Sequence, residues 1–222
     1  MIDLRKHGGI YTLTMNNEAN TICLDWQEQM LAALNEVESH CAKGTGAGTA
    51  LVMTGEGKFF SNGVNIEAMN KLDDAGVKKF AITMLEIHRR MIMLPCPTVA
   101  AINGHAFAGG AFLALSLDYR IMREDRGWIA ISEVDAGVPI PAPMMEILRC
   151  KLSPAIVRDA VLTGKRYTAS EAVAAGLIDS TATQEDLLAN AVALAKTLAS
   201  KEPSIFKALK QTLYGDLAAG FV

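Results

Sequence analysis

Hydrophobic positions in this chain fall into two patterns, short continuous or alternating runs and longer stretches spaced three and four apart. The first pattern predicts strands and the second helices. Ile2-Asp-Leu-Arg5 and Ile10-Tyr-Thr-Leu-Thr-Met15 are rich in strand formers, and His7-Gly8-Gly9 between them predicts a hairpin. Asn16 to Asn20 reads as a polar loop. From Leu24 to Cys41, Trp26, Met30, Leu34 and Val37 recur at helical spacing. The glycine-rich run Lys43 to Gly48 lies after a helix and lacks the trailing Lys-Ser/Thr of a phosphate loop, so it reads as a flexible connection. Thr49 to Thr54 predicts a buried strand. Asp73 to Met93 predicts an amphipathic helix with Phe80, Met84, Ile87 and Met91 on one face, stopped by Leu94-Pro-Cys-Pro97. Further on come strands at Asp118–Arg123 and Trp128–Ser132 and a stiff proline loop, Val138–Pro143. Helices follow at Met144–Lys151, Pro154–Thr163 and Ala169–Ala175, then a short strand at Leu177–Asp179, then helices at Gln184–Ser200 and Ser204–Leu217. Strands and helices mix over the first two thirds and helices alone follow. The pattern predicts an α/β fold with a sheet-based core over residues 1–143 and a helical region over 144–222.

Two stretches repeat one local design. In Thr98-Val-Ala-Ala-Ile102 a buried strand ends at Asn103-Gly104, and a segment with helical spacing resumes at Ala108-Gly109-Gly110. Likewise Ser61-Asn62-Gly63 breaks the chain before a segment whose Ile66 and Met69 could face a core. A helix start carries amide N–H groups without helical acceptors, and glycine lets a guest approach them closely. An anion, or an oxygen that becomes one during a reaction, suits such a place. Ala-Gly-Gly-Ala is equally the composition of tight helix-on-sheet packing. Glu133 directly follows an apolar strand and precedes a glycine loop, where sites are often built on such sheets; a solvated loop carboxylate is the other reading.

Composition narrows the field. Of 222 residues, 50% are hydrophobic and 20% charged, and the formal net charge is −3 without a basic stripe, which argues against nucleic acid as a partner. The most apolar region, Pro95 to Leu117, is interrupted by Asn103, His105, glycines and prolines, so no membrane span is expected. The first residues lack the basic-then-apolar order of a signal peptide and the last four, Ala-Gly-Phe-Val, are not a Ser-Lys-Leu address, so a cytoplasmic location is expected. Four scattered cysteines and four dispersed histidines imply reduced thiols and no metal site.

Three motifs then stand together: Phe59-Phe-Ser-Asn-Gly-Val-Asn-Ile66, Thr98 through Gly110, and Ser132-Glu-Val-Asp-Ala-Gly137 with its proline loop. Val161 through Asp179 adds a fourth. In this order they resemble the crotonase, or enoyl-CoA hydratase/isomerase, superfamily, with most likeness to its plant-type Δ3,Δ2-enoyl-CoA isomerase branch. The resemblance implies a spiral of ββα units with a C-terminal helical region for trimerisation, a homotrimer or dimer of trimers, and an acyl-CoA substrate. It implies no cofactor beyond the coenzyme A that the substrate carries, and it adds the peroxisome as an alternative location. Carried over by residue, it places the thioester oxygen between the N–H groups of Val64 and Gly109. The substrate path would run along Ala19, Asn20, Ser61, Asn62, Gly63, Asn65, Gly110 and Phe112, with Lys207 or Lys210 either meeting a phosphate or lying at the surface. Hydratases of the family use two glutamates. Here Phe112 occupies the first position and Glu133 alone remains, which implies allylic isomerisation with Glu133 as the proton carrier, its pKa raised by apolar Phe112, Val138 and Ile140. The alternatives are a hydratase or thioester hydrolase in which Asp135 supplies a second carboxylate, and a catalytically silent binding protein.

Overall fold

The computed structural model describes residues 1–42 and 48–221. The connection expected at Lys43 to Gly48 lies almost wholly outside them. In chain order the elements are β1 (Ile2–His7), β2 (Ile10–Met15), α1 (Leu24–His40), β3 (Ala50–Gly55), β4 (Phe59–Ser61), α2 (Ile66–Met69), α3 (Asp74–Met93), β5 (Thr98–Ile102), β6 (His105–Phe107) and α4 (Gly109–Leu115). There follow β7 (Tyr119–Arg123), β8 (Ile129–Ala130), α5 (Glu133–Ala136), α6 (Ala142–Lys151), α7 (Pro154–Thr163), α8 (Ala169–Ala174), β9 (Ser180–Ala182), α9 (Leu187–Ala199) and α10 (Pro203–Ala219).

Two sheets organise the chain. The larger runs β1-β2-β3-β5-β7-β9, parallel throughout except for the β1–β2 hairpin; the smaller runs β4-β6-β8, all parallel. Each of β3–β4, β5–β6 and β7–β8 places its first strand in the large sheet and its second in the small one before entering a helix. That is the expected ββα spiral. One face of the large sheet meets a core containing Trp26, Phe60, Ile87, Met91 and Phe112. Its other face, Val52, Val99, Ala101 and Ile121, is covered by α9 through Leu187, Ala191, Ala195 and Ala199, a stripe spaced by four. Helix α3 begins where the Asp73 carboxylate accepts the Gly76 N–H at 2.8 Å and ends ahead of Pro95.

Several local expectations change. The stretch after Thr98 holds a second short strand, β6, between its glycine turn and its helix. The Trp128–Ser132 strand shrinks to Ile129–Ala130, and Glu133 opens a four-residue helix rather than a loop. Ile66 is 58% exposed instead of facing a core, while Met69 of the same short helix packs against it. The last third is not helices alone: its strand lies at Ser180–Ala182 and pairs with β7, while Leu177 and Ile178, taken as that strand, are buried core contacts just ahead of it. No described helix is long and apolar enough to cross a membrane. All four cysteines are unpaired, and among the described residues no group of three metal-ligating side chains converges.

Candidate active site

The small sheet positions the chemistry. β4, β6 and β8 are neighbours and parallel, so their carboxyl ends lie side by side. β4 runs out into Asn62-Gly63-Val64, β6 into Ala108-Gly109, and β8 into Ile131-Ser132-Glu133. Adjacent strands stand about 4.8 Å apart, so three segments distant in sequence leave the small sheet from neighbouring strands at one end.

Hydrogen bonding singles out one amide in the first turn. The Asn62 N–H donates to the Ala19 carbonyl (3.1 Å), the Gly63 N–H to Ser61 Oγ (3.2 Å) and the Asn65 N–H to the Ile22 carbonyl (2.9 Å). The Val64 N–H has no acceptor among the described residues. Gly63 is held at φ +79°, and a Cβ there would stand 3.2 Å from the Gly109 nitrogen, so this turn abuts the second one.

In the second turn, Ala108 has φ +47° and ψ −120°, a strained setting for a residue with a Cβ, costing on the order of 1–3 kcal/mol. Its own N–H donates to the Ala130 carbonyl at 3.0 Å, leaving Gly109 to begin α4 with an amide that has no described acceptor. A Cβ on Gly109 would lie 3.4 Å from Ile22 Cδ1 and 3.7 Å from the Val64 nitrogen, so the two amides border one small space. Gly110 does a different job: its Cβ would stand 2.2 Å from the Ser61 carbonyl oxygen, and only glycine lets α4 lie this close to β4. Of the two readings open from sequence, close packing falls to Gly110, while Gly109 keeps an amide without a described acceptor.

Phe107 at the end of β6 pairs with Ala130 at the end of β8, and Glu133 follows three residues later, at the same end of the small sheet. Burial pushes the Glu133 carboxyl up to about 7, and its Oε2 is buried with no hydrogen-bond partner in the described structure. A carboxyl left so can take up and return protons near neutral pH.

A family model described as enoyl-CoA hydratase/isomerase matches residues 5–219. The chain is 34% identical to enoyl-CoA delta isomerase 3 of Arabidopsis thaliana, covering 98% of this chain and 93% of that one. The chain belongs to the enoyl-CoA hydratase/isomerase family. It is 30% identical to a putative enoyl-CoA hydratase of Thermus thermophilus, over 96% of this chain and 83% of that protein. A Pseudomonas structure described as an enoyl-CoA hydratase/isomerase family protein superposes with a TM-score of 0.91 at 27% identity, covering 99% and 93% of the two chains.

Within that family frame, the remaining candidates separate. Phe112 is 2% exposed in the core beneath α4. Asp135 is exposed two residues beyond Glu133, so the two carboxyls leave α5 on different sides; Asp135 lies against Gly164 at the end of α7. Asn20 and Ser61 are fully buried. The Asn20 amide donates to the carbonyls of Glu56 and Phe59, and Ser61 Oγ donates to the Asn20 carbonyl at 2.6 Å, so both brace the turn. Ala19 contributes a carbonyl to the same brace. Asn65 caps α2 by accepting the Ala68 N–H at 2.9 Å. Lys210, expected as a phosphate contact or a surface charge, is neither: it is buried, with its ammonium 2.8 Å from Asp118. Lys207 remains exposed.

The sequence reading missed Ile22, which is pinned beside Val64 by two backbone hydrogen bonds, and His88, whose Nδ1 stands 2.8 Å from Ser116 Oγ at the far end of α4. Ser116 donates its hydroxyl to the Phe112 carbonyl, so His88 Nδ1–H donates to Ser116. The only signals for the pair were a histidine on an otherwise apolar helix face and a serine after an apolar run.

Proposed function

We propose that this chain is a Δ3,Δ2-enoyl-CoA isomerase in which Glu133 is the single proton carrier. A 3-enoyl-CoA binds with its thioester oxygen between the N–H groups of Val64 and Gly109. Glu133 removes a proton from C2, and the electron pair delocalises into a dienolate whose charge collects on that oxygen. Protonated Glu133 then returns the proton to C4, leaving the conjugated 2-enoyl-CoA. No redox partner is needed.

The observation that carries this reading is a half-buried carboxyl, poised near neutrality and with its Oε2 lacking a partner, at the end of the small sheet that also carries two uncommitted amides. Isomerisation needs one group that is base first and acid afterwards, and a pKa near the working pH serves both halves. Phe112 supports the choice against hydration, since a phenyl ring cannot hold and activate water where a hydratase has its second acid. The direction of Asp135 away from Glu133 argues against the hydratase and hydrolase alternatives. The curated relatives named enoyl-CoA delta isomerase point the same way. Ile205, Leu209 and Leu213 form an exposed apolar stripe on α10, which suits the trimer or dimer of trimers that the resemblance implies.

The test compares wild type with Glu133→Gln on 3-enoyl-CoA and 2-enoyl-CoA. Wild type should interconvert the two without net hydration, and the variant should lose turnover by at least about two orders of magnitude. Wild-type-like turnover by the variant, or hydration as the main reaction, would refute the proposal.

A further inference from the structure

The outer face of the small sheet carries a layer that this reaction does not use. Phe59, His105 and Phe107 alternate with core-facing Phe60 and Ala106, and Trp128 stands at the head of β8. His105 lies at the centre, with ring centroids 5.4 Å from Phe59, 5.1 Å from Phe107 and 4.9 Å from Trp128. It is 7% exposed, whereas Trp128 at the edge is 39% exposed. Arg166 lies over both Phe107 (5.6 Å) and Trp128 (5.8 Å), and Lys58 over Phe59 (5.4 Å).

Charge on this face is one-sided. Burial and the positive charges of Lys58, Arg126 and Arg166 all hold the His105 imidazole below its usual pKa, and no carboxylate offsets them. Among the described residues none of these three cations has a carboxylate within ion-pair distance. In a chain of net charge −3, three unpaired cations around an aromatic layer are a concentrated exception. A self-complementary contact between two copies would set these cations against each other. Phe59, His105 and Trp128 stand at or just before the starts of these strands, away from the turns that carry the Val64 and Gly109 amides, while Phe107 closes β6.

We infer that this face is a second ligand surface, shaped for a nucleotide-type anion: an aromatic base stacked at Trp128 with its phosphates held by Arg126, Arg166 and Lys58. Stacking wants a π-face, and phosphate wants guanidinium forks without competing carboxylates; the patch offers both. An acidic peptide would use only the cations, and a bilayer would need apolar groups standing proud of the surface, whereas Phe59 and Phe107 are half-buried. Two sources share this chemistry, a free nucleotide and the adenosine bisphosphate end of a coenzyme A whose thioester lies in the site.

The test titrates the full-length chain with adenosine 3′,5′-bisphosphate, pyrophosphate or anionic lipid vesicles, read by calorimetry and by tryptophan emission, to which Trp128 is the exposed contributor because Trp26 is fully buried. Saturable binding of the bisphosphate is expected, with quenching, and with Kd raised about tenfold or more by Arg126→Ala/Arg166→Ala and by Trp128→Ala. The sources separate on 3-enoyl-CoA against its pantetheine-truncated analogue. If the double variant raises KM only for the full substrate, the coenzyme A end occupies the patch; if KM is unchanged for both, a free nucleotide does. No saturable binding, equal affinity in the variants, pyrophosphate binding as well as the nucleotide, or binding to vesicles alone would overturn the inference. Because binding is read without turnover, these outcomes are independent of the isomerase assignment.

Discussion

Gly109 and Gly110 are adjacent and chemically identical, yet an added methyl should have opposite consequences at the two positions. At Gly109 the new carbon meets only ordinary contacts, 3.4 Å to Ile22 Cδ1, 3.5 Å to the Gly63 Cα and 3.7 Å to the Val64 nitrogen. Gly109→Ala should therefore fold with stability within about 1 kcal/mol of wild type. The methyl nevertheless enters the space between the two amides, where an oxygen must stand about 2.9 Å from each nitrogen. Displacing that oxygen forfeits roughly 3 kcal/mol of barrier lowering, or about a hundredfold in kcat. At Gly110 the methyl would sit 2.2 Å from the Ser61 carbonyl oxygen and 2.8 Å from two further Ser61 atoms, so α4 or β4 must move. Such overpacking costs about 3 kcal/mol, a drop of roughly 6–12 °C in Tm for a chain this long. The pair is measured by thermal unfolding and by the rise in absorbance as 3-enoyl-CoA becomes conjugated. Gly109→Ala retaining wild-type kcat, or Gly110→Ala as stable as wild type, would refute the division of labour.

Three further outcomes follow. The first step needs ionised Glu133, so isomerase activity should fall on acidification with a midpoint near pH 7 instead of the ordinary carboxylate value of 4.5, as a pH–rate profile will show. Stability should reveal two opposing slopes. Buried His88, depressed from 6.5 to about 3, makes the unfolded chain bind the extra proton as pH falls below 6.5, which destabilises. Glu133, raised from 4.5 to about 7, makes the folded chain bind it, which stabilises. The two offset each other between pH 6.5 and 4.5, so wild type should be nearly flat there. Glu133→Gln should lose about 1.4 kcal/mol per pH unit over the same window, and denaturant unfolding that shows no steepening would refute the assignment. Finally, Lys210→Ala breaks a buried ion pair and should cost about 3–5 kcal/mol in stability while leaving KM for acyl-CoA unchanged; a raised KM would return Lys210 to a phosphate role.

Long, strongly patterned elements were readable from sequence: α1, α3, β3, β5 and the hairpin fall within a residue or two of their expected bounds. What escaped was short. β6 spans three residues between two turn signals, and β9 is the polar Ser180-Thr-Ala182 at a sheet edge, where pairing with β7 rather than apolar content makes the strand. α5 is too brief to show any period. In the candidate site, Glu133 and both glycine turns stand out as residue types, but that they follow neighbouring strands depends on the order β4-β6-β8, which no local pattern encodes. The Ala108 backbone was hidden because a positive φ is expected of glycine, and Lys210 misled because a late lysine reads as surface until its carboxylate partner is located.

Each strand of the small sheet is only two or three residues long and leads directly into one of the three candidate segments. Side chains and amides alternate direction with every residue. Deleting or inserting a single residue in β4, β6 or β8 would thus rotate its contribution to the wrong side without altering composition at all. This part of the molecule should accept drift in amino-acid identity far more readily than drift in length. Relatives that have changed their chemistry would be expected to exchange residues at the strand tips while keeping the count of residues leading up to them.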